Sequence, residues 1–341
     1  MILIGSRLRD LRRRTDMRVF VTGEKGFIAQ NLVPAFARLG HTVVSCDDPA
    51  MVRNTKGESC VHRNSESVWH NFFDNAKIDL VVHNAAVVGT DVVALNPSEA
   101  TLSNVMGTYN VSRAARINKI PVCYLGTSVI YDTPKYQRRT ISETSDQLPG
   151  TFYGAQKLAG EHIVMSSVSE WLIMRPLFAY GGLGDMNSLM AKTFYAHKRG
   201  LEKIDMFLNP KLRKDYMHVE DFCDAVALAC DKERWCHDYN VSAEQPLETG
   251  EIVDVMSEVC GSDLNRIIEW HPETDYLGNH ILSSKKFRET TGWKPRYTLR
   301  SGLQQSWESI CKASDAYNPL EYLDAAKSRG INLKEFFPGS K

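Results

Sequence analysis

The chain has 341 residues, enough for one large or two closely joined domains around a sizeable core. Acidic and basic residues balance at 41 each, so no global charge recruits nucleic acid or an anionic membrane. No apolar run approaches the roughly 18 residues of a membrane span.

Residues 1–16 hold five arginines ahead of Met17 and read as an N-terminal extension; Asp10, Asp16 and a single serine argue against a transit peptide. Arg18-Val-Phe-Val21 is a short apolar strand, followed by a glycine turn and a helix through Leu39. Strands follow at His41–Cys46, Ile78–His83 and Pro121–Leu125, with helical stretches at about Glu66–Ala76 and Glu99–Asn118. After a strand at Trp171–Met174 the pattern loosens into an irregular, basic stretch from Gly181 to Lys214. A helix near Val219–Cys230 and a strand at Asp238–Val241 return to the sheet, and the tail carries a packed amphipathic helix, Leu320–Arg329. Strands alternating with helices predict an α/β fold with a doubly wound parallel sheet covered on both faces. The eight scattered cysteines form no Cys-x-x-Cys and read as reduced cytosolic thiols; the ten histidines form no close cluster, so no metal is expected. His218 and Cys123 read as structural, the first a hydrogen-bonding group and the second a small buried hydrophobe.

Two features carry chemistry. In Thr22-Gly23-Glu-Lys-Gly26-Phe27-Ile28, Gly23 permits a tight turn and Gly26 lets the backbone approach a pyrophosphate at a helix N-terminus. An acid about twenty residues on, Asp47 or Asp48, accepts ribose hydroxyls and favours NAD over NADP. Further along, Tyr153 and Lys157 stand four apart, about one turn along a helix face. An ammonium there holds a phenol part-ionised near neutral pH, as a proton shuttle to a carbinol or carbonyl requires.

With His83-Asn-Ala-Ala86, Asn104-Val-Met-Gly-Thr108, Thr127-x-x-x-Tyr131, Arg175-Pro176, Arg213–Asp221 and Gly292-Trp-Lys-Pro295, these motifs stand in order from about residue 17 to 310. The set resembles the extended short-chain dehydrogenase/reductases, in their NAD-dependent epimerase/dehydratase branch. The resemblance implies a Rossmann domain over 17–175 and about 215–243, and a smaller discontinuous substrate domain over 176–214 and 244–311, with a tail from 312 to 341. It implies Tyr153 as acid/base, Lys157 as the group lowering its pKa and holding the nicotinamide ribose, and Thr127 as donor to the reacting oxygen. Gly23, Gly26, Phe27, Ile28, Asp47 or Asp48, Asn84, Ala85, Ala86, Asn104 and Pro176 are implied around NAD. Thr127, Ser128, Asn187, Ser188, Arg213 and Lys214 are implied toward the substrate. A homodimer through the helices after Asn104 and around Tyr153, in the cytoplasm, is implied as well.

Departures from the family narrow the reaction. Its 4,6-dehydratases carry an Asp-Glu pair directly after the threonine, and its decarboxylases a Glu two before the following tyrosine; Ser128 and Val129 stand here. The cysteine that keto-sugar epimerase-reductases use at the Val129 position is also missing. Elimination of water needs a further positioned acid and base. A nucleotide-sugar 4-epimerase is the leading reading, and a dehydrogenase or reductase of a sugar or small alcohol the second. A non-catalytic cofactor-binding protein comes last, since Thr127, Tyr153 and Lys157 are intact. Two substrate positions also depart: Phe178 replaces a diphosphate-holding asparagine, and Lys214 an arginine. The family's adenine-contacting aspartate falls on Asn64 or is shifted. The basic residues from Lys192 to Lys214 could attract a diphosphate, although most read as a solvated face.

Overall fold

The computed structural model describes residues 16–44, 65–131, 139–183, 188–275, 277–314 and 318–320. Strand β1 (Arg18–Thr22) leads through the glycine turn into α1 (Phe27–Arg38), and β2 (Thr42–Val44) follows. Next come α2 (Glu66–Asn75), β3 (Leu80–His83), α3 (Thr90–Leu95) and α4 (Pro97–Thr101). A π-helical turn (Leu102–Gly107) runs into α5 (Thr108–Asn118), then β4 (Val122–Leu125), α6 (Phe152–Ser167) and β5 (Trp171–Pro176). The remainder is β6 (Phe178–Tyr180), α7 (Leu189–Lys198), β7 (Ile204–Met206), β8 (Arg213–Lys214), β9 (Tyr216–His218), α8 (Val219–Asp231) and β10 (His237–Val241). It closes with β11 (Leu247–Glu248), α9 (Thr249–Cys260), β12 (Ile268–Trp270), α10 (Lys285–Thr291) and α11 (Leu299–Lys312).

Six strands form one parallel sheet in the order β10-β5-β4-β3-β1-β2. Their continuous apolar runs, Val19–Val21, Leu80–Val82, Val122–Leu125 and Leu172–Met174, are buried because helices cover both faces. One face packs on α1 and α8, with Leu32, Phe36, Phe222 and Val226 in its core. The other packs on α2, α5 and α6 through Trp69, Phe72, Phe73, Val111 and Val164. The chain steps outward from β1, to β3, β4 and β5 on one side and β2 on the other, so a crevice opens at the carboxyl end of β1.

A separate core gathers α7, α9 and α11 with β7 and β12 around Phe194, Met206, Ile252, Met256 and Leu303. Here the structure departs from the sequence reading, which left Gly181–Lys214 irregular. Ser188 caps α7 by accepting the Ala191 N–H at 3.1 Å, and Leu189, Met190, Ala191, Phe194 and Ala196 bury its apolar side. The basic residues disguise this helix. Lys198 donates to the carbonyls of Ile310 and Ala313, both at 2.8 Å, and so serves as a tie to α11. The predicted long helix from Glu99 to Asn118 is likewise interrupted by the π-turn. Lengths elsewhere differ by a residue or two, as helix and strand ends do. The tail helix beyond Leu320 and the N-terminal extension lie outside the described residues, apart from Asp16.

Candidate active site

The glycine turn closes on itself, the Gly26 N–H donating to the Gly23 carbonyl at 2.9 Å. Gly23 sits at φ +69°, and a β-carbon on it would lie 3.0 Å from the Ala85 Cα. Both facts require glycine. Gly26 precedes α1 without a side-chain cap, and the first turn of that helix holds no acid. Its leading N–H groups and positive dipole end therefore face the crevice unscreened, which suits an anionic pyrophosphate. Small Ala85 keeps the opposite wall low. The residues present fit a dinucleotide. Phe27 and Ile28 open α1 and pack partly buried against the core beneath it. Asp47 and Asp48, on which the preference for NAD was argued, lie outside the described residues, as do Asn187 and Asn64.

Behind the turn runs a hydrogen-bond chain whose direction can be deduced. The N–H groups of Asn84 and Ala85 donate to the Thr22 hydroxyl at 3.1 and 3.0 Å. Thr22 must then give its own hydrogen to His83 Nδ1, 2.8 Å away. That leaves the proton of the neutral ring on Nε2, which faces the Thr108 hydroxyl at 3.0 Å; Thr108 donates in turn to the Asn104 carbonyl at 2.7 Å. The ring stays neutral because burial, and secondarily the charge of Lys157, pull its pKa down to about 3. Sequence reading assigned His83 no role of its own, because a buried imidazole can be placed only once its neighbours are known.

Asn104 sits in the π-turn, where its side chain donates to the Val87 carbonyl at 3.0 Å and to Gln156 Oε1 at 2.9 Å, while accepting the Val87 N–H at 2.7 Å. It thereby ties the chain after β3 to α6, beside Lys157. The extra residue of a π-turn turns this side chain inward, a use for which such turns recur at functional sites.

Helix α6 carries Tyr153 and Lys157, both buried. Thr151 caps it, accepting the Gly154 N–H at 3.1 Å. Tyr153 packs among Val87, Val93, Ala100 and Val129. Lys157 donates to the Leu125 carbonyl at 2.6 Å and lies over the Tyr124 ring, 4.2 Å from its centroid. Burial lowers its pKa to about 7, against the opposing pull of Glu161. Glycines bring α6 this close: a β-carbon on Gly160 would be 2.2 Å from the Tyr124 hydroxyl, and one on Gly154 would be 2.6 Å from the Val129 carbonyl. Thr127, next after Gly126 at the end of β4, accepts the Val129 N–H at 3.4 Å and starts the 3₁₀ turn Ser128–Ile130, against which α6 packs. Thr127 and Ser128 are both buried. The structure thus brings Thr127, Ser128, Tyr153 and Lys157 together around one turn and one helix.

The residues expected toward the substrate are differently placed. Ser188 is the cap of α7, while Pro176, implied around NAD, ends β5 opposite Val241. Arg213 is exposed and donates to the Pro246 carbonyl at 2.8 Å. Lys214 is buried, its ammonium 2.8 Å from Asp275 Oδ1 and 2.6 Å from the Gly278 carbonyl. Phe178 lies against Tyr216 and His280, with ring centroids 5.3 and 5.6 Å apart, and His280 forms a bridge to Lys214. His218 caps α8, donates its Nε2–H to Gln305 Oε1 at 2.6 Å and stacks on Tyr297 at 3.7 Å, in keeping with a structural role. Asp205, Glu269 and His271 bring three ligand atoms within 4.8 Å of one another across β7 and β12, a grouping hidden in the sequence; the imidazole already bonds Asp205 at 2.9 Å.

A sequence model of the NAD-dependent epimerase/dehydratase family matches residues 19–242. The chain belongs to this family. It is accordingly an NAD-dependent enzyme, and the cradle at Gly23, Gly26 and Ala85 is where its residues fit that cofactor. Among similar proteins, a UDP-glucose 4-epimerase of Mycolicibacterium smegmatis is 25% identical over 86% of this chain and 98% of its own. GDP-L-fucose synthase 1 of Arabidopsis thaliana is 23% identical over 91% and 97%. A Thermotoga maritima UDP-glucose 4-epimerase, solved with UDP-glucose, superposes with a TM-score of 0.75 at 19% identity, covering 87% of this chain and 99% of that one. At that identity the superposition speaks for the fold. Among the described residues no helix is long and apolar enough to cross a membrane.

Proposed function

We propose that the protein is a nucleotide-sugar epimerase of the 4-epimerase type, passing through a 4-keto sugar. The observation that carries this reading is the catalytic turn itself: Thr127 and the Tyr153–Lys157 pair are assembled, while Ser128 and Val129 offer no further acid or base. NAD held at the Gly23–Gly26 turn would supply the hydride acceptor and donor for the carbinol carbon. Tyr153 removes the hydroxyl proton as the carbinol is oxidised and restores it after the ketone has turned over. The Lys157 ammonium stabilises the phenolate in the interval. Thr127 accepts from Val129 N–H, so its own hydrogen serves the developing alkoxide. The whole cycle needs no net redox change.

A dehydrogenase or reductase of a sugar or small alcohol is the second reading. It is favoured by Phe178, at a position where the family resemblance implies a diphosphate-holding asparagine, and by Lys214, whose ammonium is already paired with Asp275. The test is to release the cofactor by denaturing purified protein, and to assay nucleotide sugars for isomerisation without NADH change. Tightly held NAD with balanced interconversion supports the epimerase; turnover that consumes added NADH supports the reductase.

The division into a Rossmann part (17–175 and about 215–243) and a substrate part (176–214 and 244–311), and a cytoplasmic setting, belong to the same proposal. So does a homodimer. Leu102, Met106 and Tyr109 are 42–46% exposed and Phe152 is 69% exposed, an apolar surface on the π-turn, α5 and the start of α6 that a second copy would cover. Met106→Asp should convert the dimer to monomer in sedimentation velocity; an unchanged profile would place the interface elsewhere.

A further inference from the structure

Glu161 lies one turn beyond Lys157, so that Tyr153, Lys157 and Glu161 fall at successive four-residue steps along α6. It is fully buried, and no step of the chemistry described above employs it. Its carboxylate is gripped in two-pronged fashion by Arg175: Nε donates to Oε1 at 3.0 Å and a terminal nitrogen donates to Oε2 at 2.8 Å. The other terminal nitrogen of Arg175 donates to the Tyr131 hydroxyl at 2.9 Å and to Asp238 at 2.8 Å. Tyr131 donates in turn to Asn240 at 2.7 Å. Gly126 makes room for the pair, since a β-carbon there would stand 2.5 Å from Glu161 Oε1.

The charge balance is informative. Arg175 has two carboxylates, Glu161 and Asp238, whereas Glu161 is the one counter-charge acting on Lys157. Asp238 is also held by Lys286 at 2.7 Å, so it cannot take over the charge of Glu161. Removing Glu161 would leave a net positive charge in a buried site, and the ammonium without an arginine's fixed charge is the group that would yield.

We propose that Glu161 is a positioning residue for proton transfer: anchored by Arg175, its carboxylate keeps Lys157 charged beside Tyr153. The inference rests on the acid–base reading of Tyr153 and Lys157, although not on which sugar is used. The other titratable groups around Lys157 are His83 from β3, Tyr124 from β4 and Tyr153 on its own helix, with Arg175 and Asp238 behind Glu161. Burial keeps His83 and Tyr124 neutral, so neither replaces the carboxylate.

The experiment titrates Lys157 by NMR of protein carrying ¹³C at lysine Cε, its resonance assigned with Lys157→Met, beside the pH–rate profile. The wild-type ammonium should titrate near 7, with activity falling as pH rises through that value. Glu161→Gln should move both midpoints toward acid by about one unit or more. Glu161→Asp keeps the arginine pair while drawing the charge back, so it should move them by less. A Gln variant whose rate drops evenly at every pH, with the Lys157 midpoint unmoved, would reduce Glu161 to an anchor for Arg175. Should that variant not fold, the Asp variant decides: an unmoved midpoint overturns the proposal. The NMR midpoint needs no turnover, so a failed epimerase assay leaves this test standing.

Discussion

Two buried polar clusters, one behind Tyr153 and one beside Phe178, are built on opposite terms. In the first, every group has a neighbour that fixes its direction, from Thr22 through His83 and Thr108 to Asn104 and Gln156. In the second, the asparagine is an aromatic ring and the arginine a lysine, and that lysine is neutralised internally by Asp275. The first cluster braces the helix that carries Tyr153 and Lys157; the second pairs a buried cation internally. On the function proposed above, the difference teaches that reaction type and substrate preference are written in different parts of this chain, so that the second can change while the first stays whole.

The largest test of this contrast is Tyr153→Phe. The ring would still pack among Val93, Ala100 and Val129, so folding and cofactor content should hold. Interconversion should fall by about 10²–10⁴-fold, the usual worth of a positioned proton-transfer group. Measured kcat near wild type would take proton transfer away from Tyr153. Next comes the second cluster. Asp275→Asn strands a buried ammonium and should cost roughly 3–5 kcal/mol in denaturant unfolding. The double change Lys214→Met with Asp275→Leu should recover most of that, because a well-packed apolar pair often replaces a buried ion pair at little loss. If the double variant is stable yet binds the sugar nucleotide many-fold more weakly, Lys214 reaches the substrate after all, and the contrast breaks.

Legibility followed the same division. β1, the glycine turn, α1, and Tyr153 with Lys157 were readable because their spacing is local: apolar runs, φ-demanding glycines and a one-turn interval speak for themselves. His83, Glu161 and Arg175 gave no comparable signal. Their meaning depends on partners 14 to 63 residues away in sequence, which the sheet brings together. Helix α7, whose start at Asn187–Met190 only the family resemblance implied, did not show in the periodicity because Lys192 and Lys198 broke its apolar pattern, although their side chains are drawn inward or onto α11. Lys214 offered a cation to the sequence reader and withheld it in the fold, since Asp275 lies 61 residues on.

The smallest test uses two matched caps. Thr151 and Ser188 each accept one N–H at 3.1 Å at the head of a helix, the first in α6 and the second in α7. Alanine at either position should cost about 1 kcal/mol of stability. The consequences for rate should differ. Tyr153 lies in the first turn that Thr151 holds, so fraying there displaces the phenol, and kcat should fall further than the stability loss predicts. The body of α6 is pinned by the close approaches at Gly154 and Gly160, which confines the damage to that turn. Ser188→Ala loosens a helix whose buried residues are mostly apolar, and kcat should be unchanged. A rise in KM for Ser188→Ala alone would instead place its hydroxyl on the substrate, and the second cluster would then have to be read as a binding surface that α7 helps to build.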